Sequence, residues 1–111
     1  MGRPRRAGPK PASGGVLLIQ NVITGCTLVA GSREVRKRLS DHRQALRRGR
    51  HWNHALQRDY AANPSSFRFT VIRDRMHSVA VIRDEKRHHI QRLNVTGQVY
   101  NRCSHSWTNR Q

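Results

Sequence analysis

GSREVRKRLSDHRQALRRG, Gly31 to Gly49, carries the densest charge in the chain together with a clear helical period. Val35, Leu39 and Leu46 stand at i, i+4 and i+11, and His42 falls at i+7 on the same stripe. One face of the helix must therefore turn inward against another element. Ser32 is the expected N-cap and Gly49 the expected C-terminal stop. Between them Arg33, Arg36, Lys37, Arg43, Arg47 and Arg48 are directed outward. Arg38 follows Val35 by three residues, about 60° off the centre of the stripe. It stands at the rim, where a guanidinium stays hydrated while pointing at whatever lies beside the helix.

With 111 residues the chain accommodates one domain with a modest core. Lys and Arg number 22 against six acidic residues, a formal charge of +16, and the basic residues are nearly all arginine. The self-repulsion of such a charge opposes compaction, so an anionic partner is its natural explanation. Arginine's planar fork matches phosphate oxygens, which makes nucleic acid the first candidate, ahead of an acidic protein or an anionic lipid surface. Cys26 and Cys103 are too few for a disulfide framework. His51 and His54, His88 and His89, and Cys103 with His105 have no tetrahedral zinc spacing. The apolar run from Val16 to Ile19 is too short for a membrane span or a secretion signal. The expectation is a cytoplasmic or nuclear protein that is neither secreted nor membrane-bound.

Residues 1–14 combine basic residues with Pro and Gly and read as a flexible basic arm; residues 15–101 form the domain and 102–111 a C-terminal tail. Gly15 to Asn21 and Cys26 to Gly31 read as two strands of a hairpin, with Gly25 supplying the positive φ of the turn. Alternation places Leu17 and Ile19 on one face of the first strand and Thr27, Val29 and Gly31 on one face of the second, and we expect Leu17 and Val29 to share a face. Trp52, Ala55, Leu56 and Tyr60 form a second helical stripe that Pro64 ends. Phe67 to Arg73 alternates as a third strand. The repeated VIRD, at Val71 to Asp74 and Val81 to Asp84, admits a hairpin. A helix from Ser78 to about Leu93 is preferred, because Val79, Ile82, Lys86, His89, Ile90 and Leu93 share one stripe with Ser78 as N-cap.

Glu85 lies three residues after Ile82, the offset Arg38 has from Val35. If both helices pack on a common sheet, the two charges approach one cleft. That pair is either a rim salt bridge of small energetic value or a metal-binding carboxylate beside a phosphate-binding arginine.

The order of residues then carries more than the pattern. A hairpin ending in Gly31-Ser32, Arg38 and His42 on the next helix, His51-Trp52-Asn53 with Leu56-Gln57, then Phe67-Arg68-Phe69, Glu85 and Tyr100-Asn101 resemble the GIY-YIG nuclease family over residues 15–101. The resemblance implies an α+β domain, a small three-stranded antiparallel sheet flanked by helices. It implies a DNA-binding endonuclease that hydrolyses phosphodiesters with one divalent cation, Mg2+ or Mn2+. Arg38 is implied to stabilise the charged phosphate in the transition state and Glu85 to hold the metal, with His42 and Asn53 in support.

The departures fall on the two signature tyrosines. GIY becomes Gly15-Val16-Leu17 and YIG becomes Val29-Ala30-Gly31, so both hydroxyls are absent. Loss of a general base typically costs about 10²- to 10⁴-fold in rate. The sequence therefore supports a weak metal-dependent endonuclease or, as the alternative, a degenerate domain that binds nucleic acid and cuts nothing. His42 is the candidate substitute base, with an ordinary pKa near 6.5, although its place on an apolar stripe favours packing. Trp52 fits the core stripe; Tyr100 and Trp107 fall in segments without a clear period.

Overall fold

The computed structural model describes residues 13–101; of the basic arm expected over 1–14, residues 1–12 lie outside the described residues and Gly14 already belongs to the first strand, and the tail from 102, with Cys103 and Trp107, also lies outside them. The elements run β1 (Gly14–Asn21), β2 (Thr27–Ser32), α1 (Val35–Arg47), α2 (His54–Ala62), a 3-10 turn (Pro64–Ser66), β3 (Phe67–Met76) and α3 (Val79–Asn94). The three strands form one antiparallel sheet in the order β2-β1-β3. The α+β architecture read from the sequence is therefore the one observed.

β1 is central because its sequence, GGVLLIQN, is apolar on both faces, and six of its eight residues are buried. Its two faces make two cores. Leu17, Ile19 and Leu28 meet Val35 and Leu46 of α1, Leu56 of α2 and Tyr100 on one face. Val16 and Val29 meet Met76 and Ile82 of α3 on the other. The sheet is thus sandwiched, with α1 and α2 on one side and α3 opposite.

The hairpin turn is built by Asn21, whose side-chain oxygen accepts from the backbone N–H of Ile23 and Thr24 at 3.0 and 3.5 Å. Gly25 follows with the expected positive φ of 83°. The resulting register pairs Leu17 with Ala30 and Leu18 with Val29. Directly paired residues share a face, so Leu17 and Val29 point to opposite sides of the sheet. The expectation that they face one cleft is corrected. Alternation orders residues within a strand; the length of the turn sets the parity between strands.

α1 begins at Val35, two residues later than a Ser32 cap implies. Glu34 occupies the N-cap position without a side-chain cap bond, the Val35 N–H bonds the Ser13 carbonyl at 2.9 Å, and the Ser32 hydroxyl accepts from the Glu34 N–H at 3.0 Å. Its end is as expected: Gly49 at φ 72° donates to the Leu46 carbonyl. α3 confirms the preferred reading of its segment, with the Ser78 hydroxyl accepting from the Val81 N–H, and the hairpin alternative falls away. β3 runs three residues past Arg73 and is irregular opposite β1. Leu17 pairs with Val71 but Val16 with Arg73, so Ile72 is the extra residue of a bulge. Trp52 lies before α2 and is 59% exposed, so its assignment to the core stripe is also corrected.

Candidate functional site

Two open depressions meet at the end of β2. The first, about 400 Å³, is lined by Ser32, Arg33, Glu34, Lys37, Arg38 and Asp41. The second, about 260 Å³, is lined by Gly31, Ser32, Arg33, Val79, Ile82, Arg83 and Lys86. Ser32 and Arg33 belong to both, so together they make a groove from α1 across the sheet to α3. Five cationic side chains line it against Glu34 and Asp41. Gly31 permits the close approach of α3: a Cβ there would stand 2.7 Å from Cγ2 of Ile82.

The remaining cations expected on α1 are exposed, and two have intramolecular partners. Arg36 pairs with Asp74 of β3 at 2.9 Å, and the Arg43 guanidinium lies 4.7 Å over the Phe69 ring. Within the groove Lys37 reaches Asp41 at 3.4 Å. Surface pairs of this kind contribute little to stability and leave the charges accessible to phosphate. Arg47 and Arg48 close the exposed C-terminal turn of α1.

Beneath α1 a polar network fixes the loop to α2. His51 Nδ1 accepts from the Asn53 N–H at 3.0 Å, so its proton must reside on Nε2, which donates to His42 Nδ1 at 2.7 Å. His42 is thereby held with its own proton on Nε2. Burial, together with the Arg38 charge, lowers the His42 pKa to about 4; burial and His42 lower that of His51 to about 4. Both rings are neutral near pH 7. The one basic lone pair of neutral His42 is already occupied, which removes the ring from service as a general base. Asn53 is fully buried, with its side-chain oxygen on the Leu56 N–H and its amide on the Tyr100 carbonyl, both at 3.0 Å. It caps α2, and its full burial is at odds with the expectation that Asn53 contacts nucleic acid directly. Tyr100 is similarly engaged: its hydroxyl donates to Asp59 at 2.7 Å and accepts from Asn21, and burial pushes its pKa up.

Glu85 is on α3, with its Oε2 contacted by Nε2 of His89 at 3.2 Å and by Arg73 of β3 at 3.3 Å. Among the described residues both of its polar contacts fall on Oε2. A single carboxylate with an uncommitted oxygen fits Mg2+ or Mn2+ that retains most of its water ligands, since Mg2+ is often held by one or two carboxylates and substrate phosphate. No cluster of three or more metal-ligating side chains occurs among the described residues, so these residues alone do not build a closed cage. Glu85 lines neither depression, and among the described residues no hydrogen bond or ion pair joins it to Arg38.

No family model and no curated protein sequence matches the chain. Among solved structures, the catalytic domain of the homing endonuclease I-TevI superposes with a TM-score of 0.70 at 21% identity, covering 78% of this chain and 95% of that one. A mutant of the intron endonuclease I-TevI catalytic domain gives 0.68 at 22% identity, covering 78% and 90%. The fold is GIY-YIG-like.

Within this fold Gly15 and Gly31, the glycines that the sequence resemblance aligns with the signature, are both required by packing. A Cβ on Gly15 would lie 1.9 Å from the Arg73 carbonyl oxygen at the bulge, and Gly31 lies under Ile82. Leu17 and Val29, which the sequence resemblance aligns with the tyrosines, are buried aliphatic side chains on opposite faces of the sheet: Leu17 is fully buried and Val29 is 1% exposed. The sequence reading missed Arg83 and Lys86. The available signal was that Arg83 adjoins Ile82 and that Lys86 sits on the α3 stripe, where a cation reaches the helix rim. Among the described residues no helix is long and apolar enough to cross a membrane.

Proposed function

We propose that the chain is a nucleic-acid-binding nuclease domain directed at duplex DNA, with weak phosphodiester cleavage that depends on Mg2+ or Mn2+. The observation that carries the reading is the basic groove at the end of β2, on a fold shared with an endonuclease catalytic domain. Phosphodiester hydrolysis needs an in-line water, a positioned phosphate and stabilisation of developing negative charge. Arg38 is exposed in the groove and suits bidentate contact with phosphate oxygens. Glu85, which lies on α3 outside the groove lining, would hold the cation for a phosphate that reaches its side of α3, where the ion would supply charge stabilisation and acidify a bound water. Arg33, Lys37, Arg83 and Lys86 would carry neighbouring phosphates along the groove.

Weakness follows from what surrounds these groups. Neither tyrosine position offers a hydroxyl, His42 has committed its lone pair to His51, and the Tyr100 phenol is bonded to Asp59. A slow reaction, lacking the usual 10²- to 10⁴-fold contribution of a general base, is the consequence. A second reading, binding without cleavage, is favoured by one observation: Arg73 already places a positive charge on Glu85, where a cation would otherwise sit. Nicking of supercoiled plasmid with Mg2+ or Mn2+, compared with Glu85→Ala, separates the two. Slow nicking that disappears in the variant while binding persists supports the nuclease. Binding without nicking in either protein selects the second reading, and no binding even at low salt overturns both.

A further inference from the structure

Trp52 is the one large aromatic side chain among the described residues that the fold leaves mostly in water, 59% exposed. It is also held in place. Its ring stacks on His51 with centroids 5.2 Å apart and planes 29° apart, and His51 stacks on His42 at 5.0 Å and 28°. The middle residue is pinned through both its ring and its backbone. The backbone N–H of His51 donates to the Gln57 side-chain oxygen at 2.9 Å, ring Nδ1 accepts from the Asn53 N–H, and ring Nε2 donates to His42; the Gln57 amide in turn donates to the Leu46 carbonyl. Trp52 therefore forms the outer end of a three-ring stack rooted in the core.

The position of the stack matters as much as its rigidity. His42 follows Arg38 by one helical turn on the same side of α1, so the two are surface neighbours on that helix. Trp52 is two ring spacings further on. A strand whose phosphate lies on Arg38 would bring a base to Trp52 within a few nucleotides. The chain flanking the indole is cationic, with Arg47, Arg48 and Arg50 exposed before it. An exposed aromatic face in a basic surround is the combination that binds single-stranded nucleic acid, because every base has a π-face and stacking needs no particular sequence. A Trp already held in its conformation loses little side-chain entropy on contact. Bases inside an intact duplex are stacked on one another and present no face to it.

We infer that Trp52 is a stacking platform for an unpaired base, and that the chain prefers DNA in which duplex adjoins an unpaired nucleotide. This deepens the nucleic-acid reading and rests on it: the groove holds the backbone and Trp52 reads whether a base is free.

The test uses the full-length chain carrying Trp107→Phe, which leaves Trp52 as its only tryptophan. The probes are a duplex with a short gap containing 2-aminopurine and the same duplex fully paired, titrated at several salt concentrations. Binding of the gapped probe should quench both the Trp52 and the 2-aminopurine emission, and the paired probe should leave Trp52 emission nearly unchanged. Trp52→Ala should weaken the gapped complex by about 5- to 100-fold, with the paired complex and both salt slopes unaltered; Trp52→Phe should recover most of the loss. Thermal unfolding of each variant identifies any loss of the stack itself. Tight, salt-dependent binding of both probes with no quenching and no effect of Trp52→Ala overturns this inference and leaves the groove reading standing. Equal weakening on both probes, unrescued by Phe, makes Trp52 a structural cover for His51 and likewise overturns it. Failure to bind either probe at low salt overturns the two together.

Discussion

Among the described glycines, Gly15 is the one where an added Cβ would meet the closest obstacle. The bulge of β3 brings the Arg73 carbonyl to where a Cβ would stand, at 1.9 Å, and the obstacle is backbone held in a sheet. Gly15→Ala should therefore cost about 3 kcal/mol or more, read as a lower denaturant midpoint with an unchanged slope. The retained glycine thus says nothing about catalysis; it is held by strand packing. His42 and His51 make a second prediction. Their folded pKa values lie near 4, below the ordinary value of 6.5 that they regain on unfolding. Above pH 6.5 both states are neutral and the pair imposes no penalty. Between 6.5 and 4 the unfolded chain takes up protons that the folded chain refuses, so stability should fall as pH falls and the loss should level off below about 4. Each unit of depression corresponds to about 1.4 kcal/mol, giving a loss on the order of a few kcal/mol for the coupled pair. Melting temperatures measured from pH 7.5 to 4 check this, and a double variant His42→Phe with His51→Phe should flatten the profile if it folds.

Where the sequence carried a period, the element was legible. The α3 stripe with its Ser78 cap, the Pro64 stop after α2 and the Gly49 stop after α1 were each readable because local chemistry determines them. The relation between β1 and β2 was not. Whether Leu17 faces Val29 depends on the parity of the turn between Gln20 and Thr27, which is set by the Asn21 side chain binding two backbone N–H groups. Nor was the protection of β2 legible, since it comes from the far end of the chain. β2 is an edge strand, and the Asn101 carboxamide accepts from the Val29 N–H and donates to the Val29 carbonyl, both at 2.9 Å. Beside it the Thr27 N–H bonds the Gln98 carbonyl at 3.2 Å. A side chain there takes the hydrogen bonds a fourth strand would make, which blunts an edge open to pairing with another chain. Asn101→Ala should lower stability by about 1–3 kcal/mol through two unmade bonds to a buried residue. It should also raise the tendency to self-associate, seen as concentration-dependent light scattering, whereas Asn101→Asp should restore only the acceptor half.

The charge of +16 announced an anionic partner, but the path that partner takes depends on tertiary structure. The sequence pointed to the outer face of α1 because the arginines are consecutive there. In the folded chain Arg33, Lys37 and Arg38 are joined by Arg83 and Lys86, which lie some fifty residues on and arrive only because α3 packs beside the end of β2. Arg38 and Glu85, read as one cleft from their equal helical offsets, sit on helices that cover opposite faces of the sheet. An offset fixes a residue's place on its own helix and not the side of the sheet that the helix takes. The two candidate paths make different predictions. Each phosphate contact contributes about 0.9 to the slope of log K against log salt for duplex DNA. If the backbone follows the groove, Arg33→Ala, Arg83→Ala and Lys86→Ala should each make the slope shallower by about one unit. Arg47→Ala and Arg48→Ala should then leave it nearly unchanged, since they lie at the other end of α1. If the backbone instead follows the outer face of α1, the effects exchange: Arg47 and Arg48 flatten the slope and the α3 variants do not. All five side chains are exposed or half-buried, and none makes an ion pair to an acidic side chain among the described residues. The substitutions should leave thermal stability unchanged within about 0.5 kcal/mol, so a change in slope reports on the contact alone. Slopes altered equally by all five would mean that the charge acts as a diffuse field, and that the groove at the end of β2 has no special claim on the backbone.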